Sequence, residues 1–137
     1  MQRRKWLRSI SQSRLLRSNL TISADTASAV SVLRRNIMIK HIVMFKLREA
    51  NGKSEYENAV EAKERFNDVV ANVSELKSGE VVINSDKAPQ DNYTISLICD
   101  FESIDDLNAY QVHPAHKKFG AFIAEIKEAR ACIDYEY

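Results

Sequence analysis

The segment "IKHIVMFKL" (39–47) limits the folds open to this chain more than any other stretch of it. Its β-branched and aromatic residues favour a strand, and the side chains of a strand point alternately to the two faces of a sheet. Apolar residues fall on both faces here, with Val43 and Phe45 on one and Ile42 and Met44 on the other. We therefore expect both faces to be covered, one of them by helices and the second by something else.

Helical and strand patterns alternate after this segment. Residues 54–73 ("SEYENAVEAKERFNDVVANV") have the period of an amphipathic helix, and Ser54 with Glu57 forms a capping box at its start. The predicted buried stripe of this helix consists of Tyr56, Ala59, Val60, Phe66, Val70 and Val73. Two strands are predicted next, over 78–85 and 93–101.

Two short helices and a last strand complete the pattern. Ser103 is expected to cap a helix that runs to residue 111, and Pro114 is expected to begin another helix with His113 near its N-cap. The predicted buried stripe of this last helix consists of Phe119, Phe122, Ile123 and Ile126. A strand is predicted over 131–137. The order β-α-β-β-α-α-β predicts an α+β subunit of ferredoxin-like kind.

The charge of the chain divides near Met38, just before the first strand. Residues 1–37 carry eight Lys/Arg and one acidic residue, a net charge of +7, whereas residues 38–137 carry twelve Lys/Arg and eighteen Asp/Glu, a net charge of −6. We therefore assign 1–37 to a basic, Ser/Arg-rich extension and 38–137 to one folded domain. The extension is interpreted as a non-native addition from an upstream start codon, as an organelle-targeting segment or as a flexible basic arm, and these alternatives stay open.

Composition disfavours several classes of partner. The acidic body lacks the cationic surface that nucleic acids require, and no apolar run approaches the roughly 20 residues that cross a bilayer. Cys99 and Cys132 are too few for a disulfide framework, which favours a reducing compartment. A Gly-rich phosphate loop and a GxSxG motif are both absent from the sequence. We expect a cytoplasmic protein, or an organelle protein if residues 1–37 target it, without nucleic-acid, membrane or cofactor partners.

The segment "AYQVHPAH" (109–116) holds the candidate site. The imidazole of His116 suits proton abstraction next to a carbonyl, and the Tyr110 hydroxyl suits a hydrogen bond to the oxygen on which charge develops. His41 lies on the first strand, which the helices are expected to cover. The competing interpretation is a helix–helix joint, in which Tyr110 packs in the core and His113 only ends a helix.

A metal interpretation uses the same histidines. His41, His113 and His116 are all the histidines of the chain, and three histidines are a known ligand set for zinc. Neither an HExxH motif nor a cysteine pair supports it, and the proline between His113 and His116 is expected to point them apart. We therefore expect no metal.

Three segments resemble the stress-responsive A/B barrel (Dabb) family. They are "MIKHIVMFKL" (38–47), "FESIDDLNAYQVHPAHKK" (101–118) and "RACIDYEY" (130–137), so the resemblance covers essentially all of 38–137 and none of 1–37. It implies a ferredoxin-like subunit whose open sheet face packs against a second copy to make a dimeric α/β barrel. A second copy would supply the missing cover for the other face of the first strand.

The same resemblance, extended to a plant polyketide cyclase of that family, implies site residues. Tyr110 and His116 match its catalytic tyrosine and histidine, and His41 matches a pocket histidine. The implied function is a small homodimeric barrel with a small-molecule pocket and a link to stress, its specific activity unassigned. The alternative is a cofactor-free, cyclase-like enzyme that uses the pair His116 and Tyr110 on a small apolar carbonyl ligand.

Overall fold

The structure, a computed structural model, describes residues 37–137, so the interpretations of the basic extension lie outside the described residues. Seven elements follow one another: β1 (Ile39–Leu47), α1 (Glu55–Asn72), β2 (Ser78–Ile83), β3 (Ile95–Phe101), α2 (Ile104–Val112), α3 (Pro114–Ile126) and β4 (Lys127–Glu136). This order confirms the β-α-β-β-α-α-β pattern and the ferredoxin-like α+β fold. No helix in this part of the chain is long and apolar enough to span a membrane.

The four strands form one antiparallel sheet in the order β2-β3-β1-β4. The central strand β1 therefore has a partner on each side, and Val43 lies opposite Leu97 of β3 and Cys132 of β4. Strand β4 begins four residues before the predicted start at 131, because α3 runs directly into it without an intervening loop. The "KEAR" segment lacks apolar alternation, so its pattern does not predict a strand.

Helix α1 lies on one face of the sheet. The predicted capping box is confirmed, since the Ser54 side chain accepts from the Glu57 backbone amide and the Glu57 carboxylate accepts from the Ser54 amide. The buried stripe is Ala59, Ala62, Phe66, Val69 and Val73, at the i, i+3 and i+4 spacing of one helix face. The prediction that Tyr56 and Val70 belong to this stripe is wrong, because both lie on its solvent-exposed flank.

Helices α2 and α3 meet at one residue, as the sequence predicted. Ser103 caps α2 by accepting a hydrogen bond from the Asp106 amide. His113 ends α2 and caps α3, where its Nδ1 accepts from the Ala115 amide at 3.0 Å. Pro114 occupies the first helical turn, where a missing N–H costs nothing. The four predicted apolar residues of α3, namely Phe119, Phe122, Ile123 and Ile126, are all buried.

The opposite face of the sheet has no cover among residues 37–137. Ile42 at its centre is flanked by Ile98 on β3 and Ile133 on β4. Nearby, Met44 and Ile133 are 39% and 59% exposed. The expected apolar character of both faces of β1 is thus present, but the subunit's own helices cover only one of them. We call this uncovered surface the open sheet face.

Candidate functional site

A cleft of about 360 Å³ lies between the helix-covered face of the sheet and the junction of α2 with α3. Its polar lining comes from His41, Tyr110, Gln111, His116, Lys127 and Arg130. The remaining wall is mainly aliphatic and aromatic, with Val43 and Phe45 contributed by β1 and Phe119 by α3. The structure therefore brings the three predicted site residues to one cavity.

His41 is held in the floor of this cleft by strand β4. The antiparallel register sets His41 opposite Asp134, and the His41 Nδ1 forms a short hydrogen bond with the Asp134 carboxylate. The imidazole is 3% exposed, and its ring lies edge-on to Tyr110 with centroids 6.1 Å apart. A carboxylate on one ring nitrogen fixes the orientation of a histidine, so His41 is a rigid part of the site.

His116 is half-buried in the first turns of α3. Its Nδ1 donates to the backbone carbonyl of Gln111 at 3.0 Å, which leaves the lone pair of the neutral ring on Nε2. Burial lowers the pKa of His116, and the nearby charges of His41 and Arg130 lower it further, against the opposing effect of the Gln111 carbonyl. The unprotonated form is therefore favoured near neutral pH, and this is the form that can accept a proton.

The ring of Tyr110 lines the cleft, and its hydroxyl is buried. The ring centroid lies 4.5 Å from that of His116, and the whole side chain is buried. Its hydroxyl has no hydrogen-bond partner among the described residues, and burial beside the Cys99 thiol raises the pKa of Tyr110. The phenol is therefore a neutral donor, packed toward the sheet, that is unused in this state.

His113 takes no part in this arrangement, because its Nδ1 caps α3. A ligand set of His41, His113 and His116 is accordingly not assembled. Within residues 37–137, the one group of three or more His, Cys, Asp or Glu side chains with converging ligand atoms is His41, Cys132 and Asp134.

Sequence reasoning missed Asp134 and Arg130 as neighbours of the site. Alternation had correctly placed Asp134 with Cys132 on one face of the last strand. The missing information was the pairing of that strand with β1, which turns this face toward His41. Arg130 stands near the start of β4, in the part of the strand that the apolar pattern did not reveal.

The fold and this cleft define a class of protein, the ferredoxin-like α+β subunits with a cavity between sheet and helices. The family model of the stress responsive A/B barrel domain matches residues 39–137, and the chain belongs to this family. Comparison with curated protein sequences gives no match.

Three solved structures illustrate the similarity. A dimeric protein of unknown function from Bacteroides fragilis is 35% identical, with a TM-score of 0.59 and coverage of 73% of this chain and 96% of its own. A dimeric ferredoxin-like protein from Thermobifida fusca is 24% identical, with a TM-score of 0.62 and coverage of 74% and 92%. The hydroxynitrile lyase of Passiflora edulis is 15% identical, with a TM-score of 0.57 and coverage of 73% and 93%. The last two similarities concern the fold alone.

Proposed function

We propose that this protein is a homodimer in which each subunit binds a small, partly apolar carbonyl compound in its cleft. The observation that carries the proposal is the convergence of His41, His116 and the Tyr110 ring on one cavity whose remaining wall is mainly apolar. The volume of about 360 Å³ is near the lower end of the roughly 300–1,000 Å³ range of ligand pockets, which favours a small ligand.

The polar groups of the cleft favour a ligand that carries an acceptor oxygen, such as a carbonyl. Lys127 and Arg130 offer donors at the start of β4, and a carbonyl oxygen is an acceptor. His116 offers an unprotonated nitrogen, since its lowered pKa and its bond to Gln111 leave Nε2 free. A ligand with an acceptor oxygen and an apolar body matches this combination of a few convergent polar groups and an apolar wall.

The proposed dimer uses the open sheet face. Met44, Ile133 and Tyr135 are exposed there, and contiguous apolar surface of this kind marks an interaction site in a soluble protein. The structures from Bacteroides fragilis and Thermobifida fusca are described as dimeric. Light scattering on the full chain should give twice the subunit mass at micromolar concentration. A folded monomer under these conditions would contradict the dimer.

Ligand binding can be tested by filling the cleft. Gly120 lines it, and a Cβ at this position would meet nothing within 4 Å, so Gly120→Leu should occupy the cavity without a backbone clash. Ala121 is exposed on the same helix, and Ala121→Leu is the matched control. Native mass spectrometry and thermal shift with a panel of small ketones and β-diketones should show binding to wild type and Ala121→Leu, and loss of it in Gly120→Leu. Equal binding by all three proteins would place the ligand elsewhere.

A second candidate function, cofactor-free proton abstraction, is favoured by the hydrogen bond between His116 and Gln111. With Nδ1 committed to that carbonyl, Nε2 can take a proton from the carbon next to the ligand carbonyl, and the C–H electron pair becomes the enolate. His41, fixed by Asp134, would orient the substrate. The Tyr110 hydroxyl would donate to the enolate oxygen after its ring shifts, because the hydroxyl is buried in this structure.

This chemistry can be separated from binding alone. Turnover of β-polyketo and related carbonyl substrates should fall by about 10²–10⁴-fold in His116→Ala, as for other positioned bases. Tyr110→Phe should lose about 10²–10³-fold if its hydroxyl meets the oxyanion. Rates unchanged in His116→Ala would remove His116 from the role of base. Binding without turnover on any substrate would leave the first proposal standing and end the second.

A further inference from the structure

We propose that His41, Cys132 and Asp134 form a site for a transition-metal ion, with Zn²⁺ the best match. The register of two neighbouring strands brings these side chains together, since β1 places His41 opposite Asp134 and Cys132 lies two residues away on the same face of β4. They form the one convergent group of potential ligands among residues 37–137. We refer to these three residues as the edge cluster.

Two of the three distances between ligand atoms are close to those around a tetrahedral ion. Bond lengths of about 2.0–2.3 Å to nitrogen, oxygen and sulfur imply ligand atoms roughly 3.4–3.6 Å apart. The Cys132 Sγ lies 3.7 Å from the His41 Nδ1 and 3.9 Å from the Asp134 Oδ1. The third pair, His41 Nδ1 and Asp134 Oδ1, is closer because these two atoms are hydrogen-bonded to each other. An ion at this position requires the Asp134 carboxylate to move away from the His41 Nδ1, and the Asp134 side chain is 38% exposed.

The chemistry of the cluster also selects a metal of this kind. One imidazole, one thiolate and one carboxylate combine borderline and soft donors, a set that suits Zn²⁺ and disfavours Ca²⁺ and Mg²⁺. The two anionic ligands balance the charge of a divalent ion. Three protein ligands leave a fourth position open, as in catalytic zinc sites. Cys132 is exposed, so an ion can reach the cluster from solvent.

Metal binding would change the state of His41. The ion and the Asp134 hydrogen bond compete for the same atom, Nδ1, so a bound ion takes the place of this hydrogen bond. The Cys132 thiol loses its proton on binding as well. The inference does not depend on the proposed ligand of the cleft, because the cluster and its test involve no carbonyl compound.

Cobalt is the probe that tests this site, because Co²⁺ bound to a thiolate has a charge-transfer absorption that other ligands do not give. The full chain has two cysteines, and Cys99 is buried outside the edge cluster. Titration of the reduced, folded protein with Co²⁺ should produce this absorption at one ion per subunit, and Zn²⁺ should abolish it. Cys132→Ser should remove the absorption, whereas the control Cys99→Ala should keep it.

Affinity provides the second measurement. Changes in the outer shell of a metal site already cost about 10–100-fold in affinity, so Asp134→Asn should weaken Zn²⁺ binding by about 100-fold or more. Circular dichroism establishes that each variant is folded. The proposal fails if the folded wild type gives no thiolate absorption with excess Co²⁺, or if the absorption survives in Cys132→Ser. Unchanged Zn²⁺ affinity in Asp134→Asn would also overturn it as a three-ligand site.

Discussion

The two faces of strand β1 carry similar side chains and meet very different surroundings. Its odd-numbered residues, from Ile39 to Leu47, are 7% exposed or less, because α1 and α2 pack against that face and the buried residues of α3 join the same core. On the other face Met44 is 39% exposed. An apolar pattern therefore predicts that a face is buried. It does not show whether the helices of the same subunit or another surface cover that face.

The carboxylates on the two faces of the sheet also have different partners. On the covered face, His41 and Asp134 form a hydrogen-bonded pair beside a cleft. On the open face, Asp100 accepts hydrogen bonds from Lys40, Ser78 and Tyr137. Burial opposes the ionisation of Asp100, but these three donors outweigh it and lower its pKa. The open face thus has an apolar centre beside a satisfied polar cluster, the usual anatomy of a protein interface.

The largest effect should come from truncating the covered face. Leu47 is fully buried, so Leu47→Ala should lower the free energy of unfolding by about 2–5 kcal/mol. Met44→Ala, three residues away on the open face, should change it by about 0.5 kcal/mol or less at concentrations where the protein is monomeric. Urea unfolding of both variants at several protein concentrations measures the two values.

This pair of variants has its own internal check. If Met44 packs against a second copy, the cost of Met44→Ala should grow as protein concentration rises, because dimerisation stabilises the folded state by mass action. The cost of Leu47→Ala should stay nearly constant. Equal costs for both variants at every concentration would mean that the two faces are covered alike.

A charge on the open face should separate the subunits. Ile133 lies on that face beside Ile42, and Ile133→Asp buries an unpaired carboxylate if a second copy packs there. We expect the dimer dissociation constant to rise by about 100-fold or more, which corresponds to roughly 3 kcal/mol. Sedimentation velocity measures it. Tyr56 is an equally exposed apolar residue on the helix side, and Tyr56→Asp is the control that should leave the assembly intact.

The fold was accessible from the sequence because its signals are local. Each cap was correctly assigned, at Ser54, Ser103 and His113, since a cap depends on residues within one helical turn. The error in the α1 stripe has a local cause too. Tyr56 and Val70 lie on the same side of the helix as Val60, next to the buried stripe. Because apolar residues occupy both of these adjacent sides, the pattern does not show which one is buried.

The site was accessible only in part, because it depends on contacts between distant segments. Tyr110 and His116 lie close in sequence, so one short segment brings both of them to the cleft. The partner of His41 is 93 residues away along the chain. A shift of one residue in the register of β1 and β4 would turn Asp134 to the opposite face, and no property of either strand alone specifies that register.

A smaller effect is expected in the pH dependence of folding stability, through His116 on the covered face. The pKa of His116 is lowered in the folded state, mainly by burial, so the unfolded chain binds a proton more readily near its usual pKa of about 6.5. Stability from the neutral ring is therefore present above about pH 6.5 and is lost as pH falls toward the lowered folded-state value. Wild type should lose stability relative to His116→Gln over this range in urea unfolding.

A control variant and the pH dependence of turnover test this explanation further. Lys117→Gln changes an exposed neighbour on the same helix, and it should follow the wild-type slope. Parallel curves for wild type and His116→Gln would mean that burial does not depress the pKa of His116. If His116 abstracts a proton, the pH dependence of turnover should report the same lowered pKa. Turnover should then fall as the pH drops through a midpoint below about 6.5.

The smallest effect should come from removing the basic extension. Residues 1–37 differ abruptly in charge from the rest, and the core pattern begins after Met38. A chain that starts at Met38 should keep a cooperative thermal melt with a midpoint within about 2 °C of the full chain, because about 1 kcal/mol corresponds to about 4–8 °C in a domain of 60–100 residues. Calorimetry on both chains at the same concentration measures this difference. A drop of several degrees would mean that the extension stabilises the folded domain.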